Sequence, residues 1–460
     1  MTTISDIKKQ IVDTSARAVV ENALKLANEK QEYHALLNLT EERALKRADD
    51  VDAGKITGKL AGVPFVVKDN FLAFGAPTTA ASKMLEHFDA PLQATAVEKL
   101  EAEGAICIGK ANLDAFAHGG STENSAFGPT KNAVDMTRVS GGSSGGSAVI
   151  TALDVVPFAL GSDTGGSIRQ PARFNGVVGV KPTYGAVSRY GVVAMASSTD
   201  TIGCFASNAE DADLVMEIMS GRDDKDMTTL PDFWRNELKP IRKIGVISQC
   251  MTDEVDSEVR DRTLDYVEKL KSLGYEVEQV DLPMMKYSLA MYYIIVPAEV
   301  SSNLARYDGI RYGHRAENVK TLDELYGRSR DEGFMTENKR RIMIGSFVLS
   351  SGFFDAYYMQ AQKARTLLIR EYTELFKNYD VLLSPAAPTP AFKLGQNTAD
   401  PIQMYLADIM TVPASLAGLP AISVPAGENS EGLPIGVQLI GNYQTDSRLL
   451  DLAKAVEVKS

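Results

Sequence analysis

Two glycine-rich loops that carry serines constrain this chain more than any other feature. Residues 140–147 read SGGSSGGS and residues 161–170 read GSDTGGSIRQ, with an apolar run between them. Glycine lets the backbone approach a ligand closely and take turns that a Cβ resists. Consecutive N–H groups of such a loop can point at one spot, as an oxyanion hole requires. The two loops therefore indicate acyl transfer.

A lysine that precedes these loops offers a way to activate a serine without histidine. Lys68 ends the apolar run 63–68. Burial there would disfavour the charged amine and lower the lysine pKa from about 10.4. A neutral Lys68 could then take a proton relayed by Ser143 in the first loop, while Ser167 lies in the second. The N–H groups that could stabilise a developing oxyanion just before Ser167 belong to Thr164, Gly165 and Gly166.

Other interpretations of these motifs are weaker. Residues 141–145 match the G-x-S-x-G turn of α/β-hydrolases, which needs an acid and then a histidine later in the chain. Only His314 of the four histidines lies downstream, and this interpretation leaves the second loop unexplained. Residues 104–110 resemble a phosphate-binding P-loop, but Ala111 stands where Ser or Thr should bind Mg²⁺. The sequence thus favours neither a histidine-based hydrolase nor an ATP-binding loop.

Composition limits the partners and the compartment. The formal net charge of −12 argues against a dominant basic surface for nucleic acid. Three cysteines without CxxC spacing and scattered histidines predict neither a disulfide framework nor a metal site. No apolar run approaches the roughly 20 residues of a membrane span, and the first residues lack the pattern of a secretory signal. We expect a cytoplasmic protein that binds no membrane.

The order of helical and apolar segments predicts one large domain over residues 1–460. Apolar strands that alternate with helices predict an α/β fold, with a mixed sheet covered on both faces. In the helical region 1–60, Ser5 is expected to cap the first helix. The expected parts are a core at about 61–210 with strands at 63–67, 105–108 and 155–160, a more helical region at about 211–400, and a return to the core at 401–460.

Residues 141–147 and 161–171 together resemble the signature of the amidase signature family. Lys68, Ser143 and Ser167 stand at the lysine and serine positions of that family. The stretches that extend the similarity are GVVGVKPT at 176–183, AGLPAISVP at 417–425 and GLPIGVQLIG at 432–441. Three further stretches resemble one group of the family, the A subunits of bacterial tRNA-dependent amidotransferases. They are STENSAFGPT at 121–130, YGAVSRYG at 184–191 and SSGFFDAYY at 350–358.

The resemblance implies an α/β/α sandwich that hydrolyses glutamine. Ser167 would attack the side-chain amide, and Ser143, preceded by a cis peptide bond in the family, would relay the proton to Lys68. The residues implied in glutamine recognition are Tyr292, Arg341 and Asp408. A guanidinium suits the α-carboxylate and a carboxylate suits the α-ammonium. Without the resemblance, residues 339–341 would be interpreted as a solvated helix face.

The same resemblance implies two partners in a heterotrimer. The B subunit would bind tRNA and use ATP and Mg²⁺ to activate the misattached Glu or Asp. The small C subunit would contact both larger chains and hold them together. This chain itself would need no cofactor. The acceptor could be Glu-tRNA(Gln), Asp-tRNA(Asn) or both. The alternative is a free-standing amidase that acts on another amide. The chain departs from the pattern at Ala115 and His118, where these A subunits more often carry Glu and Met.

Overall fold

The structure is a computed structural model, and it describes residues 1–398 and 401–457. Eleven strands in these ranges form one mixed sheet in the order β1-β3-β2-β4-β6-β5-β10-β11-β9-β7-β8. The strands are β1 (Leu36–Leu39), β2 (Pro64–Lys68), β3 (Ile106–Ala111), β4 (Phe158–Asp163), β5 (Val178–Lys181), β6 (Thr201–Ala206), β7 (Lys243–Ile247), β8 (Glu276–Val280), β9 (Val381–Pro385), β10 (Ala421–Glu428) and β11 (Pro434–Gly441). Strand β2 is parallel to β3 and β4, and β7 is parallel to β8 and β9; the other pairs are antiparallel.

Helices cover both faces of this sheet. They are α1 (Ile4–Asp13), α2 (Ala16–Glu29), α3 (Glu41–Asp52), α4 (Thr95–Ala102), α5 (Gly145–Ala152), α6 (Arg169–Asn175), α7 (Ala209–Met219), α8 (Ser257–Ser272), α9 (Ser288–Asn303), α10 (Leu322–Gly333), α11 (Thr336–Val348), α12 (Met359–Leu375), α13 (Pro401–Leu406), α14 (Val412–Leu416) and α15 (Asp446–Glu457). Side chains alternate along β2: Phe65 and Val67 pack into a core with α4, α7 and α15, while Val66 packs into a core with α2 and α3. The predicted α/β fold with a large covered mixed sheet is confirmed.

Two local predictions near the amino terminus are wrong. The first helix is capped by Thr3 rather than Ser5, because Thr3 accepts from the N–H of Asp6 while the Asp6 carboxylate accepts from the N–H of Thr3. The region 1–60 is also not purely helical. Strand β1 adds to the sheet edge beside β3, and its four half-buried residues show no alternation that a pattern could reveal.

The sheet explains where Lys68 and the second glycine-rich loop meet. Strands β2 and β4 are adjacent and parallel, so their carboxyl ends lie at the same edge. Lys68 is the last residue of β2, and Asp163 is the last residue of β4, immediately before the loop. Open α/β sheets bind ligands at such strand ends. Residues 104–110, by contrast, run into the buried strand β3, where Lys110 forms an ion pair of 2.8 Å with Asp69.

Candidate active site

Lys68 is fully buried and held by two serines. Its Nζ lies 2.8 Å from Ser143 Oγ, 2.9 Å from Ser162 Oγ and 3.4 Å from the Ser162 carbonyl oxygen. A neutral amine has two N–H donors and one lone pair. If Ser162 accepts both N–H groups, the lone pair is left for the hydroxyl of Ser143. The geometry therefore suits a lysine that takes a proton from Ser143.

Burial lowers the pKa of Lys68 into the range that a general base needs. Loss of hydration lowers its pKa to about 7, although the nearby carboxylates of Asp114, Asp163 and Asp200 favour the charged form. A general base works best when its pKa lies near the operating pH. A substantial fraction of the Lys68 side chains is thus neutral at pH 7, against roughly one in 2,500 for a solvated lysine.

The rate of acyl transfer should rise with pH and level off above about 7. Below that pH Lys68 gains a proton and loses its lone pair, so the rate should fall about tenfold for each pH unit well below 7. The measurement is ammonia release from glutaramic acid, which is glutamine without its α-ammonium group. This substrate removes the titration of Asp408, whose pKa also lies near 7, from the recognition step. A flat profile from about pH 5.5 to about 8.5 would contradict the role of Lys68.

Ser143 is positioned by contacts around its backbone. The Gly142–Ser143 peptide bond is cis. The N–H of Gly142 donates to Gln170 Oε1 at 2.9 Å, and the carbonyl oxygen of Ser143 accepts from the N–H of Asp114 at 3.2 Å. A Cβ on Gly142 would lie 2.2 Å from Asp114 Oδ2, so only glycine fits this approach. These contacts hold Ser143 at the amino-terminal side of α5.

A buried ion pair shapes the loop that carries Ser167. Asp163 and Arg169, both fully buried, lie 2.9 Å apart on either side of the loop, and Asp163 Oδ2 also accepts from the N–H of Ile168 at 3.1 Å. The carbonyl oxygen of Ser167 accepts from the N–H of Ser144 at 3.1 Å, which joins the two glycine-rich loops. Ser167 keeps 8% of its surface exposed. Ser143 is fully buried, so Ser167 is the serine of the Lys68–Ser143–Ser167 triad that solvent can reach.

The predicted oxyanion loop has free donors and close neighbours. The N–H groups of Gly165 and Gly166 donate to no acceptor within residues 1–398 and 401–457. A Cβ on Gly165 would lie 2.8 Å from the hydroxyl of Tyr292, and one on Gly166 would lie 2.2 Å from Thr411 Oγ1. Thr411 Oγ1 in turn donates to the carbonyl oxygen of Gly165 at 2.7 Å. Tyr292 therefore packs directly against the loop, and the loop's N–H groups are available to a ligand.

Arg341 and Asp408 line one cavity of about 340 Å³. Arg341 is 3% exposed, which excludes the solvated-face interpretation for this residue. Its Nε donates to Glu337 Oε1 at 2.9 Å, and its guanidinium lies 5.4 Å from the ring centre of Tyr293. The Asp408 carboxylate accepts no hydrogen bond from the residues that the structure describes, and burial raises its pKa to about 7. Arg340 and the carboxylates of Asp114, Glu123 and Glu337 also line the cavity, and each of these groups is hydrogen-bonded within the described residues. The Asp408 carboxylate and the terminal N–H groups of Arg341 are therefore the charged groups left for a ligand.

Removal of either charge should weaken glutamine use strongly. Arg341→Ala or Asp408→Ala should leave a charged group of the substrate unpaired, at a cost of about 2–4 kcal/mol, or roughly 30- to 1,000-fold in kcat/KM. Lys339→Ala is the matched control on the same helix, because Lys339 is 39% exposed and pairs with Asp331. Steady-state kinetics with glutamine and with simple amides would test this. Equal losses on both kinds of amide would contradict the two binding roles.

The structure brings all the sequence-predicted residues to one end of the sheet. Lys68 and Ser143 are in contact, and Ser167 is linked to them through Ser144. The hydrogen bonds from Gln170 to Gly120 and from Gly142 to Gln170 then connect the triad to the cavity wall. The assigned roles stay predictions, since proximity alone tests none of them.

Sequence reasoning missed several residues that build this site. Ser162 accepts from Lys68 and from Asn70 Nδ2, the latter at 3.1 Å. Its place two positions before Thr164 in the glycine-rich loop was a usable signal. Glu337, which lies four residues before Arg341 on α11, could have been found from that spacing. Two other residues that surround Arg341 had no such signal: Tyr293 and Tyr405. In the described ranges, no three His, Cys, Asp or Glu side chains cluster as metal ligands.

The fold and the Lys68–Ser143 pair define a class of amide-cleaving enzymes. The chain belongs to the amidase signature family, since a family model described as Amidase matches residues 18–450. A solved structure described as an amidase covers all of this chain and all of its own, with 32% identity and a TM-score of 0.81.

Two relatives with higher sequence identity narrow the class to one group of this family. The chain is 49% identical to the A subunit of glutamyl-tRNA(Gln) amidotransferase from Thermosynechococcus vestitus, over 99% of this chain and 98% of the relative. The crystal structure of the subunit of that name from Thermotoga maritima is 40% identical, with a TM-score of 0.83, and the match covers 100% of this chain and 95% of that one.

Proposed function

We propose that this chain is the glutamine-hydrolysing subunit of a tRNA-dependent amidotransferase. The observation that carries the proposal is a buried Lys68–Ser143 pair beside a cavity with two groups left for a ligand. In the described residues the Asp408 carboxylate accepts no hydrogen bond, and the Arg341 guanidinium donates only through Nε. Those two charges complement the α-ammonium and α-carboxylate of a free amino acid. A free-standing amidase for neutral amides would gain nothing from them.

The chemistry uses only side chains and backbone groups of this chain. Ser167 Oγ attacks the side-chain carbonyl carbon of glutamine, and its proton passes through Ser143 to Lys68. The N–H groups of Gly165 and Gly166 stabilise the oxyanion. When the C–N bond breaks, Lys68 returns the proton through Ser143 to the leaving nitrogen, which departs as ammonia. Water then attacks the glutamyl ester at Ser167, and glutamate is released.

The released ammonia needs an acceptor that this chain does not supply. We infer that the B subunit of the complex binds the misacylated tRNA and uses ATP and Mg²⁺ to activate its Glu or Asp, while the C subunit joins the two larger chains. The formal net charge of −12 agrees with this division, because the tRNA phosphates would contact another chain. Such a complex would work in the cytoplasm. No helix in the described residues is long and apolar enough to cross a membrane.

An exposed apolar segment supports a permanent protein partner. Residues 349–357 are all solvent-exposed, and the rings of Phe347, Phe353 and Tyr357 lie with centres 4.3–6.2 Å apart. Asp355 is the one charged residue between positions 342 and 362. Interface cores are depleted of charge and enriched in aromatic residues, whereas a surface for nucleic acid would be basic. We assign this segment to contact with one of the other chains of the complex.

Reconstitution with the other two chains tests the proposed function. The isolated chain should hydrolyse glutamine weakly, and addition of the B and C subunits with ATP, Mg²⁺ and misacylated tRNA should raise the rate by shifting the site toward its competent arrangement. Phe353→Asp should weaken co-purification with the partners. Met227→Asp, at a residue 79% exposed elsewhere on the chain, is the control. Full glutamine-dependent amidation without partners, or a preference for non-glutamine amides, would contradict the proposal.

A further inference from the structure

His118 lines the cavity that holds Arg341 and Asp408, and one of its ring nitrogens is buried and unpaired. The side chain is fully buried. Its Nδ1 lies 2.7 Å from Asn338 Nδ2, whereas its Nε2 has no hydrogen-bond partner in the described part of the chain. A buried polar atom without a partner costs roughly 1–3 kcal/mol. Such an atom beside a binding cavity points to a group that arrives with the ligand.

The hydrogen bonds of Asn338 assign the tautomer of His118. Asn338 Oδ1 accepts from the N–H of Met335 at 3.2 Å, and Nδ2 donates to the carbonyl oxygen of Ala115 at 2.8 Å. The other Nδ2 hydrogen is therefore directed at His118 Nδ1, which accepts it. A neutral imidazole with Nδ1 as acceptor carries its proton on Nε2. Burial and the charge of Arg341 lower the His118 pKa well below its usual range, which keeps the ring neutral. The unpaired atom is thus a donor.

The chemistry of the cavity selects the acceptor for this donor. An N–H group cannot bind the α-ammonium, which Asp408 suits. The side-chain carbonyl oxygen of glutamine would face the loop N–H groups of Gly165 and Gly166. The remaining acceptor is the α-carboxylate, which has about four lone-pair positions and can accept more than the two bonds of an arginine fork. His118 lines the same cavity as Arg341, and Asn338, which holds it, precedes Arg341 by one turn of α11.

We propose that His118 is a further glutamine-binding residue, whose Nε2–H donates to the α-carboxylate beside Arg341. The inference rests on the proposed glutaminase function. A neutral donor adds affinity for the carboxylate without a further positive charge that would repel the ammonium group or attract Asp408. It should favour amides with an α-carboxylate over amides that lack one.

Three amides and two variants test the role of His118. Glutaramic acid keeps the carboxylate, and 4-aminobutanamide keeps only the ammonium group. His118→Met removes the donor at similar volume and should raise KM for glutamine and glutaramic acid about 5- to 30-fold, with kcat and 4-aminobutanamide hydrolysis little changed. His118→Gln restores a donor near the Nε2 position and should recover most of the affinity. Calorimetric binding of glutamine in the Ser167→Ala background gives a second readout independent of turnover.

The outcomes separate this inference from the proposed function. Unchanged KM and Kd in His118→Met would overturn it, as would equal losses on all three amides, which would mark His118 as a support for α11. Failure of His118→Gln to recover affinity, in a protein with the parental unfolding temperature, would also overturn it. A parent chain that hydrolyses 4-aminobutanamide and neither binds nor hydrolyses glutamine would overturn the proposed function itself.

Discussion

Ser167→Ala should abolish the glutamyl-enzyme and reduce glutamine hydrolysis to background, a loss of at least about 10⁴-fold. The expected cause is loss of the attacking oxygen, because a small loop side chain contributes little packing. Mass spectrometry of the quenched protein would show the acyl adduct in the parent and its absence in the variant. In the complete complex, Ser167→Ala should still permit amidation driven by free ammonia, since ammonia enters after the serine step.

A serine of the other glycine-rich loop provides the control for this result. Ser147 lies in the first loop, which also carries Ser143, and is buried, but its hydroxyl donates to the carbonyl oxygen of Leu160 at 2.8 Å rather than contacting Lys68. Ser147→Ala should therefore retain the acyl adduct. Near-parental glutamine hydrolysis by Ser167→Ala, or loss of ammonia-driven amidation in a fully assembled Ser167→Ala complex, would refute the mechanism.

Lys68→Met should reduce turnover nearly as severely as Ser167→Ala, by about 10³-fold or more. The variant keeps a long side chain in the buried site but removes the amine that lies 2.8 Å from Ser143 Oγ and can take its proton. The double variant Lys68→Met/Ser167→Ala should be no slower than Ser167→Ala alone, because the residues act as one unit. Single-turnover rates of ammonia release would measure these differences.

Lys181 is the matched control for Lys68. It is also buried, burial lowers its pKa to about 7, and its Nζ donates to the carbonyl oxygen of Pro182 at 2.9 Å rather than to a serine. Lys181→Met should change kcat by less than a few-fold in a protein that folds normally. Additive losses in the double variant at Lys68 and Ser167 would show that the two residues do not share one step.

Local chemistry made the centre of the site predictable. The glycines next to Ser143 and Ser167 can be recognised in short segments of the sequence. The same holds for the apolar strand before Lys68. The predicted strands lie within one to three residues of β2, β3 and β4. Assignment of Asp408 and Arg341 to the site came from the family resemblance, because nothing in their neighbouring residues distinguishes them from ordinary surface charges.

Features that depend on distant parts of the chain were not predictable. Strands β5 and β6 were not predicted, because each is a short run interrupted by a glycine and gains its place in the sheet from its neighbours. The order of the sheet places β10 next to β5, although some 240 residues separate them in the chain. The hydrogen bond from Tyr405 to Glu337, the partner of Arg341 on α11, likewise requires α11 and α13 to meet, which no local sequence pattern predicts.

The central position of β10 and β11 also governs when a newly made chain can work. These two strands join the portion of the sheet built from β1–β6 to the portion built from β7–β9. Arg169, which shapes the Ser167 loop, donates to the carbonyl oxygen of Thr411 at 2.7 Å and to Ser415 Oγ at 2.8 Å. A ribosome must therefore have made the chain through Gly441, the end of β11, before the nucleophile is in place. Truncated products of interrupted translation would consume no glutamine.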